Sequence, residues 1–242
     1  MSRSSTGAGV EPPLFRQIVD HLRADIVEGR LIEHGALPSE RVVAENHGVS
    51  RMTARRALEA VEAEGLAYSE HRRGRFVSPR RLNYNVSSMA NFIADAEADG
   101  MVLEIRVIEA CEVKAGIRLA KLLDVEAQER LLKCTRLFLN QSHPIFLETE
   151  YVVAERRPGV PGTEMETDRY MRSSPLGHSN DTVIRMRAID PDEAGHLGTS
   201  PHQQGLQQEQ ISRDEAGVAF CFTQQIWRGE LAQFTAKAVV NQ

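Results

Sequence analysis

The stretch VSRMTARRALEAVEAEGL, residues 49–66, decides the fold of the N-terminal region. Ser50 can accept a backbone hydrogen bond at a helix N-terminus, and Gly65 is typical of a helix end. At about 100° per residue, one face of the helix is apolar and would pack inward. That face consists of Ala54, Ala57, Leu58 and Val61. The stretch therefore predicts an amphipathic helix with a polar outer face.

The outer face of this helix carries Arg51, Arg55 and Arg56, with Met52 and Thr53 beside them. The helix dipole disfavours cations near a helix N-terminus, so their presence there suggests an anionic partner. The whole chain has a net charge of −5, yet residues 1–82 hold 13 Arg against 11 Asp and Glu. This asymmetry predicts contact with a polyanion, although a polar outer face is also typical of a solvated surface.

Two helices and a hairpin are predicted around this stretch. Apolar residues recur at helical spacing over about 14–28, and Ser39 can cap a short helix that ends at Gly48. A short helix, a tight break and a longer helix form a helix-turn-helix pattern. The next segment, GLAYSEHRRGRFVSP at 65–79, can form a β-hairpin with HRRG at its tip. A basic hairpin in this place is a wing, so residues 12–78 are predicted to form a winged helix.

These segments resemble the DNA-binding domain of the GntR family of bacterial transcription regulators. The resemblance rests on PLFRQIVDHLRADIVEGRL, LPSE, VSRMTARRALEAVEAEGL and GRFV, in this order. It implies DNA contacts by Ser39, Arg41, Ser50, Arg51, Thr53, Arg55 and Gly74. We add Met52, Arg56, Arg72 and Arg73 as candidate contacts, since arginine suits guanine and methionine can meet a thymine methyl group. The wing departs from the Gly-x-Gly-Thr pattern of the family, with Arg72 and Arg75 at the first Gly and the Thr.

A second domain is predicted after a polar linker at 79–88. Residues 89–242 begin with a strand candidate, VLEIRVIEACEV, followed by a short helix at 117–123 and the hairpin RLLKCTRLFL-NQSH-PIFLETEYVV. A shift of 74 residues brings Leu123 onto Leu197 and Leu132 onto Leu206, and it superposes a second hairpin pattern. An internal repeat would build one antiparallel sheet with helices on its faces; two unrelated hairpins are the plainer alternative. The predicted class is a two-domain α+β protein with a disordered tail at 1–11.

The second domain resembles the UTRA domain, the effector-sensing module of the HutC subfamily of GntR regulators. The resemblance covers about 85–240 and rests on TRLFLNQSHPIFLETEYV, AIDPDEAGHLGTS and AGVAFCFTQQIWRGELAQF. It implies a fold like that of chorismate lyase, an effector pocket and dimerisation through this domain. It also implies a homodimeric regulator, most often a repressor, that binds double-stranded DNA at an inverted-repeat operator.

Arg136 is the main candidate for effector binding. On a strand it would share a face with Leu132, Cys134 and Phe138, so its guanidinium needs a partner. An internal ion pair with Glu148 is one interpretation. The other is a clamp for a carboxylate or phosphate of the effector, because a planar guanidinium binds such groups bidentately.

The UTRA resemblance adds further candidates for the pocket. Phe138 replaces the second arginine of an Arg-x-Arg pattern, and Glu148 occupies an acidic position. Cys221 replaces a ligand-facing Glu, and Trp227 replaces a Tyr. Hydroxyl groups that would line the pocket belong to Thr167, Ser173 and Ser174. This less charged set predicts a small effector with one anionic group.

The composition argues against several other classes of protein. No segment reaches the ~18 apolar residues of a membrane span, so no membrane partner is expected. The 3 cysteines are far apart, which argues against disulfides or a zinc site and fits the cytoplasm. Because no nucleotide-binding or catalytic motif is present, we expect no catalytic residue, cofactor or metal. Two alternatives stay open: a sequence-indifferent architectural DNA-binding protein, and a chorismate-lyase-like enzyme with a fused DNA-binding domain.

Overall fold

The computed structural model of the protein describes residues 12–86, 92–156 and 178–236. The chain divides into two compact units between Pro79 and Arg80, termed here the N-terminal and C-terminal units. The predicted tail at 1–11 lies outside the described residues.

Three helices build the core of the N-terminal unit: α1 (Leu14–Val27), α2 (Glu40–His47) and α3 (Arg51–Ala63). Both predicted caps are confirmed, because Ser39 accepts a hydrogen bond from the Val42 N–H and Ser50 accepts one from the Thr53 N–H. Gly48 ends α2 with a left-handed φ of 60°. The apolar face of α3 is buried against α1 and α2, so the predicted inward face is confirmed.

The wing follows α3 as predicted. Strand β1 (Ala67–Glu70) pairs antiparallel with β2 (Gly74–Val77), and 71–73 form the turn. Gly74 has a φ of 111°, a conformation that favours glycine. Residues 34–37 run along β2 as a further extended segment, with the His34 N–H bonded to the Val77 oxygen at 3.0 Å. The N-terminal unit is therefore a winged helix.

The structure corrects the predicted linker at 79–88. Leu82–Asn85 form strand β3, which pairs in parallel with β10 (Ala232–Thr235) inside the C-terminal unit. Leu82 is 1% exposed. Leu82 and Tyr84 alternate with asparagines, which is the period of a strand with one buried face. The polar composition around these two residues concealed that period.

The C-terminal unit is built on a six-stranded antiparallel sheet in the order β4-β5-β6-β9-β8-β7. Its strands are β4 (Leu103–Lys114), β5 (Arg130–Asn140), β6 (His143–Val153), β7 (Ser179–Ala188), β8 (Gln204–Arg213) and β9 (Ala219–Trp227). Among the described residues of this unit, the helices are α4 (Phe92–Ala98), α5 (Ile117–Leu123) and α6 (Pro191–Leu197), and a 3₁₀ turn spans Ala154–Arg156. The predicted α+β class is confirmed.

The predicted internal repeat is present in the sheet. A shift of 74 residues carries α5 onto α6, and it carries β4, β5 and β6 onto β7, β8 and β9. The two halves meet where β6 pairs with β9, with Thr149 opposite Gln224 and Glu150 opposite Thr223. Thr149 is the β6 partner of Thr135, and Gln224 is the β9 partner of the equivalent residue Glu209, so a pseudo-twofold axis passes through the Thr149–Gln224 pair.

The two faces of the sheet are covered differently. On one face, α5 packs on β9 and α6 on β6, so each helix crosses to a strand of the other half. The opposite face, termed the polar face, carries Arg136, Glu148 and Gln225 side by side on β5, β6 and β9. One end of the polar face is closed by an aromatic cluster of Tyr84, Phe92, Phe138, Phe146, Trp227 and Phe234.

Candidate functional site

The N-terminal unit contains a basic cleft of about 450 Å³ between α2, α3 and the wing. The helices contribute their N-terminal ends, and the wing contributes its turn and β2. The lining residues are Ala36, Leu37, Pro38, Ser39, Glu40, Arg41, Arg51, Arg73, Gly74 and Arg75. The cleft thus brings together predicted DNA contacts from three separate elements: Ser39, Arg41, Arg51, Arg73 and Gly74.

Arg51 is the most available cation of this cleft. It occupies the first position of α3, and its side chain is exposed. Among the residues that the structure describes, it makes no hydrogen bond or ion pair. A free guanidinium at the N-terminal end of a recognition helix can bind the edge of a guanine or a phosphate without first losing a partner.

Arg41 and Arg55 hold carboxylates on their own helices. Arg41 Nη1 lies 2.8 Å from Glu45 Oε1, and Arg55 Nε lies 2.8 Å from Glu59 Oε1. Both pairs span one helical turn and are largely exposed, and such pairs are weak in water. The two arginines can therefore turn to DNA when a phosphate replaces the carboxylate.

The predicted contacts Ser50 and Thr53 are engaged with each other. Ser50 Oγ accepts the Thr53 N–H at 3.1 Å and lies 3.0 Å from Thr53 Oγ1. Ser39 plays the same capping role on α2, where its Oγ accepts the Val42 N–H at 3.4 Å. These hydroxyls hold the helix ends in place, and a contact to DNA would be additional to that role.

Arg56 and Met52 lie away from the cleft lining. The Arg56 guanidinium carbon is 5.5 Å from the centroid of the Phe15 ring, so this arginine packs on α1. Met52 is 64% exposed. An exposed methionine beside Arg51 remains available for a base contact.

The wing turn presents Arg72 and Arg73. Arg72 has a φ of 60°, in the left-handed region. Arg73 forms an ion pair with Glu70, and its guanidinium carbon lies 5.5 Å from the centroid of the Phe76 ring. A Cβ on Gly74 would meet no atom within 4 Å, so the backbone conformation rather than space accounts for a glycine there.

Arg75 is a structural residue whose role the sequence did not reveal. Its Nε donates to Glu62 Oε2 at 2.9 Å, and its Nη1 donates to Glu40 Oε1 at 3.3 Å. These bonds tie β2 to α3 and to α2, respectively. Arg75 therefore fixes the wing relative to the two helices that line the cleft, at the position where the family pattern has a threonine.

In the C-terminal unit, Arg136 is buried and paired. It is 2% exposed, and its Nη2 donates to Glu148 Oε1 at 2.7 Å and to Glu150 Oε2 at 2.8 Å. The predicted ion pair with Glu148 is thus present. Glu150 is a second partner that sequence reasoning missed; it stands two residues after Glu148 and so on the same face of β6.

A hydrogen-bond network extends from Arg136 across the sheet. Glu148 Oε2 accepts the Gln225 amide at 2.6 Å, and Gln225 Oε1 accepts the Trp227 indole N–H at 2.9 Å. Cys221 donates its thiol hydrogen to Glu150 Oε1 at 3.2 Å. The candidates Arg136, Glu148, Cys221 and Trp227 therefore belong to one network that links β5, β6 and β9.

The charges of this network are unbalanced, because two carboxylates face one guanidinium. Burial raises the pKa of the Glu148 carboxyl, although the charge of Arg136 opposes that shift. Glu148 therefore takes up a proton more readily than an exposed carboxyl does.

Phe138 and Trp227 are core residues that close the polar face at one end. The Phe138 and Phe146 ring centroids lie 4.2 Å apart, and those of Phe146 and Trp227 lie 3.9 Å apart. Both Phe138 and Trp227 are 0% exposed. They would form an apolar wall for a ligand that lies on the Arg136 network, since both are on the polar face.

A polar row on β8 was also missed. Gln208 donates to Tyr84 Oη at 3.1 Å and to Gln210 Oε1 at 3.3 Å, and Gln210 donates to Ser212 Oγ at 3.4 Å. The side-chain oxygen of Gln208 is buried and has no hydrogen-bond partner among the described residues. Polar residues at every second position of β8 were the available signal.

Three of the predicted pocket residues cannot be placed, and the absence of metal sites and membrane spans holds only for the described residues. The candidates Thr167, Ser173 and Ser174 lie outside the described residues. Within the described part of the chain, no cluster of His, Cys, Asp and Glu has an arrangement that could hold a metal ion. Over the same residues, no helix is long and apolar enough to cross a membrane.

Comparison with known proteins agrees with this architecture. Residues 14–77 match the model described as "Bacterial regulatory proteins, gntR family", and residues 98–233 match the UTRA domain. The chain is 27% identical over 227 residues to the HTH-type transcriptional repressor NagR of Bacillus subtilis, covering 92% of this chain and 93% of that protein. It is 29% identical over 163 residues to MngR of Escherichia coli, the mannosyl-D-glycerate transport/metabolism system repressor, covering 65% and 66% of the two chains.

Solved structures show the same fold. The crystal structure of PhnF from Mycobacterium smegmatis superposes with a TM-score of 0.62 at 22% identity, covering 93% of this chain and 100% of that one. The winged helix, the antiparallel sheet and the two matched domain models lead to one assignment. The chain belongs to the GntR family of bacterial regulatory proteins, with a UTRA domain of the HutC type, and is a ligand-responsive DNA-binding regulator.

Proposed function

We propose that this protein is a cytoplasmic, homodimeric repressor that leaves an inverted-repeat operator when a small anionic metabolite binds. The observation that carries the DNA part is the convergence of Ser39, Arg41, Arg51, Arg73 and Gly74 on one basic cleft. Sequence reasoning assigned these residues separately to α2, α3 and the wing. Because all five line one cleft, they support a single DNA-facing surface. Two copies of the protein would read two half-sites.

Base recognition is assigned first to Arg51. It is free of carboxylates within the described residues, whereas Arg41, Arg55 and Arg73 have to exchange an ion pair for a DNA contact. The Arg41 and Arg55 pairs are exposed, so phosphates can replace their carboxylates, whereas Glu70, the partner of Arg73, is buried. We therefore assign phosphate contacts first to Arg41 and Arg55, and we place Met52 beside Arg51 as a candidate contact for a thymine methyl group.

The effector is assigned to the polar face, next to the Arg136 network. MngR is named for a system that handles mannosyl-D-glycerate, a compound with one carboxylate, and this relative supports an effector with one anionic group. An anion at Arg136 would have to take the place of a carboxylate that now holds the guanidinium. Glu148 is the carboxylate that leaves, because its raised pKa allows it to depart as the neutral acid.

This exchange gives a route from the ligand to the sheet. Glu148 also binds Gln225, which in turn binds Trp227, so its release disturbs contacts on β6 and β9 together. These strands form the junction of the two repeated halves. Effector binding would shift the population of the C-terminal unit toward an arrangement with lower operator affinity.

The DNA proposal is tested by selecting duplexes from a random pool with the purified protein. Enrichment of an inverted repeat, with affinity for it well above that for random DNA, supports the proposal. Equal affinity for all duplexes, with one steep dependence on salt, would instead support the architectural alternative. Chorismate incubated with the protein tests the enzyme alternative, and steady product formation would overturn the assignment as a regulator alone.

The effector proposal is tested on the selected operator with mannosyl-D-glycerate, D-glycerate, inorganic phosphate and the neutral sugar mannose as probes. Release by an anionic probe and not by mannose supports it. Since anion binding is coupled to proton uptake by Glu148, the affinity of that probe should rise as the pH falls. Affinity for that anionic probe that rises with pH would contradict the coupling of anion binding to proton uptake by Glu148.

A further inference from the structure

The two edges of the C-terminal sheet are related by the internal repeat but differ in chemistry. Strand β4 is one edge and β7 is the other. The 74-residue shift places Glu109 of β4 on Val183 of β7, and Glu112 on Met186. Their cross-strand partners also correspond, since Glu109 faces Thr135 as Val183 faces Glu209. The two edge strands therefore occupy equivalent positions in the two halves of the sheet.

The β4 edge has the features that prevent a sheet from adding another strand. Its pairing with β5 is interrupted by a register shift between Val107 and Glu109, which leaves Ile108 as an extra residue. A bulge and outward charges both block edge-to-edge pairing. Glu109 and Glu112 supply the charges at the two positions compared above.

The β7 edge lacks the register shift and has apolar residues at the two positions compared. It pairs with β8 over ten residues, from Ser179 to Ala188, without a register shift. Val183 is 54% exposed, Met186 is 65% exposed and Ile184 is 37% exposed. A straight edge with exposed apolar side chains is a template for a further strand.

The charges of β7 are held by its own unit. Arg185 Nη2 lies 2.6 Å from Glu209 Oε2, and Arg187 Nη2 lies 2.5 Å from Glu193 Oε1. Glu109 and Glu112 of β4 are paired in the same way, with Lys133 and Arg130, so such pairs do not distinguish the two edges. Arg185 stays 48% exposed and within reach of a neighbouring strand. Asp181 lies 3.2 Å from Arg213 and is 68% exposed, so it remains accessible near the start of the strand.

The order of these charges identifies the partner. Asp181 stands before the apolar centre of β7, and the two arginines stand after it. A second copy of β7 in antiparallel orientation places each Asp181 near an arginine of the other strand, and it places the apolar centres together. A parallel copy would put like charges side by side.

We infer that β7 is the surface on which two copies of this chain join, by antiparallel pairing of β7 with β7 about a twofold axis near Val183 and Ile184. The two sheets then form one continuous sheet across the dimer, and each buries the apolar residues that its edge exposes. This inference rests on the proposed homodimer and names the strand that forms it.

The first experiment gives β7 the two acidic residues that β4 has at the equivalent positions. The full-length variant Val183→Glu/Met186→Glu carries the residues that β4 has at these positions. Ile108→Glu, which adds a charge to the β4 edge, is the matched control. Sedimentation equilibrium should give a dimer for the wild type and the control, and a dimer dissociation constant raised at least a hundredfold for the double variant. Unchanged far-UV circular dichroism would show that the exposed substitutions left the fold intact.

The second experiment maps the strand register without weakening the fold. In a Cys111→Ser background, single cysteines are placed at Thr182, Val183, Ile184 and Arg185 and oxidised. Residues at the twofold axis face their own copies at about 4.5–5.5 Å between Cα atoms, within reach of a disulfide. We expect one position near Val183 or Ile184 to yield covalent dimer in high proportion, with less on either side.

The outcomes separate this inference from the proposal on which it rests. A wild type that stays monomeric at all concentrations would overturn the homodimer itself. If the wild type is a dimer, its dissociation constant is unchanged in Val183→Glu/Met186→Glu and no cysteine cross-link forms, only the β7 surface would be overturned. A dimer weakened equally by Ile108→Glu would show a general effect of charge and would likewise count against β7.

Discussion

Replacing Arg136 by methionine tests the buried network most directly. The change removes two hydrogen bonds, of 2.7 and 2.8 Å, from the Glu148 and Glu150 carboxylates. It leaves both carboxylates buried without a cation. Removing one partner of a buried ion pair costs about 3–5 kcal/mol, because the remaining charge stays out of water. For a unit of this size the melting temperature should fall by roughly 6–20 °C.

The assay is thermal unfolding of the C-terminal unit, followed by Trp227 fluorescence. This is the only tryptophan of the chain, and its indole binds Gln225 within the network. Arg130→Met is the matched control, because Arg130 pairs with Glu112 on the surface, with the two side chains 74% and 56% exposed. That control should leave the midpoint unchanged.

A companion variant separates charge from packing. Arg136→Met/Glu148→Gln/Glu150→Gln removes all three charges, and uncharged replacements of buried ion pairs are often tolerated. Most of the lost stability should return. A midpoint that falls by less than about 2 °C in the single variant would refute the buried pairing. Failure of the triple variant to recover would refute the electrostatic explanation.

The other predictions concern DNA and pH. Arg51→Ala should weaken binding to a selected operator by about 1–3 kcal/mol and relax one base preference, whereas Arg56→Ala, which loses a contact to α1, should change affinity much less in anisotropy titrations. Arg75→Ala should loosen the wing, seen as faster hydrogen exchange in β2, while α3 keeps its protection. Glu148→Gln should stabilise the protein progressively as the pH rises above the ordinary carboxyl value of 4.5, since a raised pKa makes ionised Glu148 destabilising in the fold. An equal gain at low pH in denaturant titrations would contradict that assignment.

The sequence predicted α1, α2, α3, α5, the wing and the repeat because these depend on local signals, whereas α4 was not predicted. The capping serines, the helical spacing of apolar residues and the hairpin turns each act within a few residues. The 74-residue shift was visible because Leu123 and Leu197 face the core in equivalent helices, where only apolar residues fit. β3 was missed because its partner β10 lies far along the chain, and parallel pairing leaves no turn to signal it.

The candidate sites were harder to predict because they depend on partners in space. Arg75 pairs with Glu40 and Glu62 on two other elements, which its place in the hairpin did not indicate, whereas the pairs of Arg41 and Arg55 follow from the spacing of four residues along a helix. Arg136 was correctly identified as a residue in need of a partner, yet Glu150 and Gln225 join it only through the sheet register. The residue pattern of β5 alone cannot show which side chains of β6 and β9 lie beside it in the sheet.

The repeat also explains where the specific chemistry of the C-terminal unit lies. The frame keeps the apolar positions in both halves, but by strand pairing the equivalents of Arg136, Glu148 and Glu150 are Gln210, Thr223 and Gln225. The charged network therefore exists once, in the first half, although the strands that could carry it exist twice. The bare edge likewise exists once, at β7 in the second half. A repeated frame would by itself give two equal faces and two equal edges, and the residues that break the symmetry are those to which we assign the ligand and the partner. Restoring the symmetry at β7, or removing the charges at Arg136 and its partners, should therefore abolish one property and leave the other intact.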